Sequence, residues 1–216
     1  MNISTTEVLL TARRIADFAR EEGALAQRYQ PRASCDHMGA VIADAVLQAG
    51  LNYATVVRPR VLNILRNFPA EHRVSALVRL VSENKTAAFL NWHHPEKISR
   101  FERLVDFLMR RNIELVQDLQ THLLQDDFCD ALSGIKGIGP KTIDYMACLV
   151  GIDSIAVDRH VRTFAKRAGI EHDDYSFLRQ TFCYAADLLT LPRRDFDAWI
   201  WRKEATASSA QFSFSV

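Results

Sequence analysis

The stretch Gly137-Ile138-Gly139-Pro140 constrains the fold more than any other part of this 216-residue chain. Glycine can adopt backbone dihedrals that a Cβ atom forbids, so Gly137 and Gly139 predict a tight turn. Ile138 between them can point inward and anchor that turn. Pro140 predicts a helix start, because the missing N–H of proline costs no hydrogen bond at the first helical position. The turn would leave backbone N–H groups bare at a helix start, and such a surface attracts phosphate.

The rest of the chain predicts an all-α fold. Apolar residues recur at the three-to-four spacing of a helix face in segment after segment, and one clear example is Ile98, Phe101, Leu104, Val105 and Leu108. No strand pattern persists, and no internal repeat is present. The length allows one large domain or two small ones.

Lys141 follows the turn and lies in the first turn of the predicted helix. A cation there opposes the helix dipole, and the positive end together with partial burial would lower the pKa of the amine. A neutral lysine amine is a nucleophile that forms a Schiff base with a carbonyl-like carbon. The alternative is a surface ion pair with Asp144, which would contribute little.

Asp158 comes directly after the apolar run 155–157 and before the next helical pattern. Its carboxylate can act as a base or face a developing positive charge. The position also suits a helix N-cap, worth about 1 kcal/mol. The two roles are compatible, because a cap would hold the carboxylate rigidly.

Residues 132–139, Lys141 and the segment Val157-Asp158-Arg159-His160 together resemble a known signature. It is the helix-hairpin-helix, Gly/Pro-rich, aspartate signature of base-excision DNA glycosylases, the endonuclease III superfamily. The resemblance is specific across roughly residues 130–170, looser from about 40 to 130, and weak at both ends.

The resemblance implies two helical lobes with a helix-hairpin-helix motif and an active-site cleft between them. Residues 37–154 would form a helical barrel lobe that ends in the hairpin. Residues 1–36 and 155–216 would together form the second lobe. Lys141 would then face Asp158 across the cleft.

The resemblance also implies how DNA would be bound. The backbone N–H groups of Gly137 and Gly139, with Lys136 beside them, would hold a phosphate. A residue in the loop after the second helix would wedge into the base stack, and the candidates are Gln48, Asn52 and Tyr53. For each of these, the alternative is a polar loop residue that caps the next helix. Tyr145, one turn after Lys141, would line the pocket or belong to the core.

Cofactor expectations follow from the cysteines and from the resemblance. Many relatives hold an iron–sulfur cluster with four closely spaced cysteines near the C-terminus, where this chain has only Cys183. We therefore expect no cluster, and the scattered cysteines predict neither a zinc site nor a disulfide framework. A monovalent cation at the hairpin carbonyls is implied by the resemblance, and no other metal is expected.

These features predict a DNA repair glycosylase that flips a damaged or mismatched base out of double-stranded DNA and excises it, with associated AP lyase activity by β-elimination. Lys141 would attack the sugar C1′, and Asp158 would assist. Three alternatives stay open: a monofunctional glycosylase that uses water, a non-catalytic helix-hairpin-helix DNA-binding module, and a helical domain with no DNA partner. The sequence carries no signal for the particular base or for an oligomeric state. Because no run of about 18 apolar residues is visible, we expect a soluble, intracellular protein (cytoplasm, nucleoid or nucleus) with no membrane partner.

Overall fold

The computed structural model describes residues 4–26 and 34–212, with side chains as far as residue 206. The fold is all-α, as predicted, and no strand occurs in those ranges. The α-helices in the described ranges are α1 Thr5–Glu21, α2 Met38–Leu47, α3 Arg58–Asn67, α4 Val74–Ser82, α5 Thr86–Leu90, α6 Pro95–Arg110, α7 Val116–His122, α8 Asp126–Ser133, α9 Pro140–Val150, α10 Arg159–Arg167, α11 Tyr175–Leu188 and α12 Arg193–Phe212. A π-helical turn, Tyr53–Val57, precedes α3, and a 3₁₀ turn, Pro69–His72, follows it.

The chain divides into two compact units. The central unit is Ala33–Ile152, and the terminal unit consists of Met1–Arg32 together with Asp153–Val216. Each unit has a hydrophobic core of its own.

Helix α2 is the centre of the central unit. Every residue of α2 is buried, and its sequence is apolar on all sides apart from Asp44. A helix that is hydrophobic all round must be covered by neighbours. Helices α3, α6 and α9 pack against it. This packing brings polar side chains of the neighbouring helices to the C-terminal end of α2.

The terminal unit is built on two helix pairs, α1 against α11 and α10 against α12. Aromatic side chains fill the space between them, with Phe164 in edge contact with both Phe182 and Trp199. Arg167 at the end of α10 forms ion pairs with Glu22 and with the buried Glu204. This packing fixes α10, whose first residue follows Asp158.

Candidate functional site

The glycine turn, residues 134–139, joins α8 to α9. Ile138 is buried with 2% exposure, so it points inward as predicted. Gly137 has φ +89°, in the left-handed region where a Cβ atom is strained. The prediction for Gly139 is wrong, because its φ of −108° and ψ of −179° are extended values that any residue adopts. Its place before Pro140 explains this, since a residue before proline is pushed to extended backbone.

The turn presents backbone donors at the start of α9. Within the described part of the chain, the N–H groups of Lys136, Gly137 and Gly139 donate to no acceptor, whereas Ile138 N–H donates to Ile135. The Lys136 side chain is exposed. Bare N–H groups at a helix N-terminus, together with the helix dipole, attract an anion.

Five side chains form a connected group that we call the polar cluster: Asp44, Gln48, Tyr53, Lys141 and Tyr145. The Lys141 ammonium donates to Gln48 Oε1, across 93 residues of sequence. The same ammonium lies 5.5 Å from the centre of the Tyr145 ring. The structure thus brings together four residues that the sequence assigned separately to catalysis, to the DNA wedge and to the pocket.

Asp44 connects the tyrosines of the polar cluster, and sequence reasoning missed it. Its carboxylate is only 3% exposed and accepts hydrogen bonds from Tyr145 Oη at 3.0 Å and Tyr53 Oη at 3.3 Å. A buried carboxylate is costly unless such donors satisfy it. The available signal was one acidic residue in the otherwise apolar run of α2.

Lys97 also belongs to this region. Its ammonium donates to the carbonyl oxygens of Val46 and Ala49, at 2.8 and 2.7 Å, where α2 ends. Burial lowers the pKa of Lys97 to about 8, the positive charges of Arg100 and Lys141 act in the same direction, and a neighbouring glutamate opposes them. These three cations therefore share one region of the central unit.

Asn52 has the capping role that the sequence left as an alternative. Its Oδ1 accepts the N–H of Thr55 at 3.0 Å and so caps the π-helical turn. Of the three wedge candidates, Gln48 and Tyr53 belong to the polar cluster and Asn52 is an exposed cap.

Asp158, in the terminal unit, caps α10. Its Oδ1 accepts the backbone N–H of His160 at 2.7 Å and of Val161 at 3.0 Å. The side chain is half-buried, and both bonds go to the same oxygen. The cap fixes the carboxylate and leaves Oδ2 without a hydrogen bond among the described residues.

No set of three or more His, Cys, Asp or Glu side chains is placed to hold a metal ion in the part of the chain that the structure describes. In the same residues, no helix is long and apolar enough to cross a membrane.

No protein-family model, no curated protein and no solved structure matches this chain.

Proposed function

We propose that this protein is a DNA repair glycosylase that flips a damaged or mismatched base out of duplex DNA, excises it and cleaves the abasic strand by β-elimination. The observation that carries the proposal is the placement of Lys141. The Lys141 side chain is half-buried and is held by Gln48 and Tyr145. The residue lies two positions after a glycine turn with bare N–H donors.

The amine of Lys141 is assigned the nucleophilic step. Once its ammonium has given up a proton, the lone pair of the amine attacks the sugar C1′ as the C1′–N bond breaks, and the bonding pair leaves with the base. The new C–N adduct loses a proton, and the C1′–O4′ bond opens to give a Schiff base, with O4′ taking up a proton. Loss of a C2′ proton then expels the 3′-phosphate, and water later releases the lysine.

Asp158 is assigned the carboxylate function in the same reaction. It either accepts the proton that the attacking amine gives up or stabilises the positive charge that develops on the sugar. A rigid carboxylate suits both tasks, and the two backbone N–H groups at the start of α10 hold this one in place.

Gln48 and Tyr53 are assigned the filling of the gap left by the extruded base. An amide or aromatic side chain can replace part of the lost stacking, which is worth a few kcal/mol. In the free protein, Gln48 is bonded to the Lys141 ammonium. If Gln48 moves into the DNA, it releases the Lys141 side chain, whose deprotonated amine is the nucleophile, so base extrusion and exposure of that side chain would occur together.

Borohydride trapping on duplex DNA with an abasic site tests the proposal. Hydride reduces a Schiff base to a stable secondary amine and leaves a covalent protein–DNA adduct. We expect an adduct with the wild type and none with Lys141→Ala. Lys166→Ala is the matched control, because this lysine is exposed at the end of α10, and it should trap like the wild type.

Each other outcome points to a different function. An adduct that persists in folded Lys141→Ala would refute the assignment of the nucleophile. No adduct, with abasic DNA still bound, would favour a water-using glycosylase or a plain DNA-binding module. Asp158→Asn on a panel of damaged duplexes would then separate the two, since only an enzyme loses base excision. Absence of DNA binding would refute the proposal as a whole.

A further inference from the structure

Arg100 lies directly against the glycine turn. It belongs to α6, and only 8% of the residue is exposed. A Cβ atom on Gly137 would lie 2.2 Å from both Cζ and Nη2 of its guanidinium. The absence of a side chain at Gly137 is therefore what lets this buried cation reach the turn.

The hydrogen bonding of the Arg100 guanidinium is incomplete. Nη2 donates to Glu96 Oε1 at 2.7 Å, whereas the buried Nε has no partner among the described residues. A guanidinium carries five N–H donors, and a buried one is stable only when acceptors satisfy them. The Arg100 guanidinium can therefore donate to a further acceptor.

The carboxylate that holds Arg100 is open to solvent. The side chain of Glu96 is 58% exposed, against 9% for that of Arg100, so solvent reaches the pair from the glutamate side. If another acceptor takes its place at the guanidinium, the glutamate carboxylate can therefore be solvated by water. Lys97, which follows Glu96 in α6, is a second half-buried cation in this region.

We propose that Arg100 and the bare N–H groups of the glycine turn form one anion site that takes a DNA backbone phosphate. In the free protein the guanidinium donates to Glu96, and the phosphate replaces this carboxylate when DNA binds. The inference rests on the proposed function for its DNA partner and names the cation of the site. Arg100, rather than the exposed Lys136, supplies the charge that meets the phosphate.

The same guanidinium does not fit the monovalent cation that the family resemblance implies at the turn. A second cation beside Gly137 would meet the positive charge of Arg100 at close range, and the Glu96 carboxylate bonded to that guanidinium carries a single negative charge. Arg100 therefore takes the place of that cation, and DNA binding should not depend on alkali ions.

The test compares two ion pairs on α6. Glu96 and Arg100 form one i,i+4 pair, and Asp106 and Arg110 form another that is exposed on both sides, so it serves as the matched control. Affinity for undamaged duplex DNA is measured by fluorescence anisotropy across a series of KCl concentrations. Thermal unfolding of each variant verifies that it folds.

We expect Arg100→Gln to weaken binding about tenfold and to reduce the slope of log K against log salt by about 1. Glu96→Gln should tighten binding severalfold, because it removes the competing carboxylate. Arg110→Gln and Asp106→Asn should stay within about twofold of the wild type. Replacing KCl by tetramethylammonium chloride should leave the wild-type affinity unchanged.

The inference is overturned if Arg100→Gln and Glu96→Gln both fold and both bind DNA with the affinity and the salt slope of the wild type. If Arg100→Gln fails to fold, Glu96→Gln decides alone, since it leaves the guanidinium in place. A loss of affinity in tetramethylammonium would show that an alkali cation is needed after all. If Arg100→Gln weakens the binding of inorganic phosphate but leaves DNA binding unaffected, the site takes free phosphate, and the proposed DNA contact is refuted.

Failure of this inference is distinguishable from failure of the proposed function. If the wild type binds DNA and is trapped by borohydride while Arg100→Gln binds DNA equally well, the proposed function stands and Arg100 only supports the turn. A wild type that binds no DNA refutes both.

Discussion

Replacing Gly137 by alanine should destabilise the central unit by about 2–5 kcal/mol, because two separate costs add. At φ +89° an alanine pays about 1–2 kcal/mol for left-handed backbone. Its Cβ would also lie 2.2 Å from the Arg100 guanidinium, and forcing an atom into a packed site costs about 1–3 kcal/mol.

Gly139→Ala is the matched control for this prediction. The backbone of Gly139 is extended at φ −108°, and nothing lies within 4 Å of a Cβ added there. Alanine also lowers the conformational entropy of the unfolded chain. We therefore expect Gly139→Ala to be neutral, or stabilising by up to about 1 kcal/mol.

An Arg100→Ala background separates the two costs at Gly137. Without the guanidinium the overlap disappears while the strained φ remains, so Gly137→Ala should then cost only about 1–2 kcal/mol. The difference, about 1–3 kcal/mol, is the coupling energy of the pair in a double-mutant cycle. It measures the contact that the anion site requires.

Urea unfolding followed by circular dichroism supplies the free energies. Since two units need not unfold in one step, hydrogen exchange read by mass spectrometry should assign the change to peptides of α8 and α9. The reasoning is refuted if Gly137→Ala costs no more than Gly139→Ala. The claimed overlap with the guanidinium is refuted if Gly137→Ala costs the same free energy with and without Arg100.

Three further predictions concern the other site residues. Asp158→Ala should lose about 1 kcal/mol of unfolding free energy with the cap, whereas Asp158→Asn should keep the cap and lose base excision; equal destabilisation in urea would contradict this. The folded pKa of Lys97, about 8, lies below the unfolded value of about 10.4, so the unfolded chain binds more protons between these values. Stability relative to Lys97→Met should therefore rise with pH across that window, and a flat difference in urea unfolding would be evidence against the burial of this amine. Tyr145→Phe and Tyr53→Phe should each cost about 1–3 kcal/mol, because each removes a donor to the buried Asp44 carboxylate; a cost near zero for both in urea unfolding would count against the polar cluster.

Secondary structure was predictable from the sequence because its signals are local. The stripe from Ile98 to Leu108 predicts a helix, and α6 covers it from Pro95 to Arg110. Pro140 begins α9 as its fixed φ predicts. The error at Gly139 is also local, because the conformational freedom of glycine shows only that a residue can take a positive φ.

The sequence by itself determined the all-α class, the turn before α9 and the cap at Asp158, since all three depend on neighbours within a few residues. The tertiary structure alone decided the polar cluster and the contact of Arg100 with Gly137. The bond from Lys141 to Gln48 spans 93 residues and exists because α9 packs against the buried helix α2. Hydrophobic periodicity predicts which face of a helix is buried, but it does not identify the helix that covers that face. Side chains from distant segments become partners only once the helices that carry them have packed.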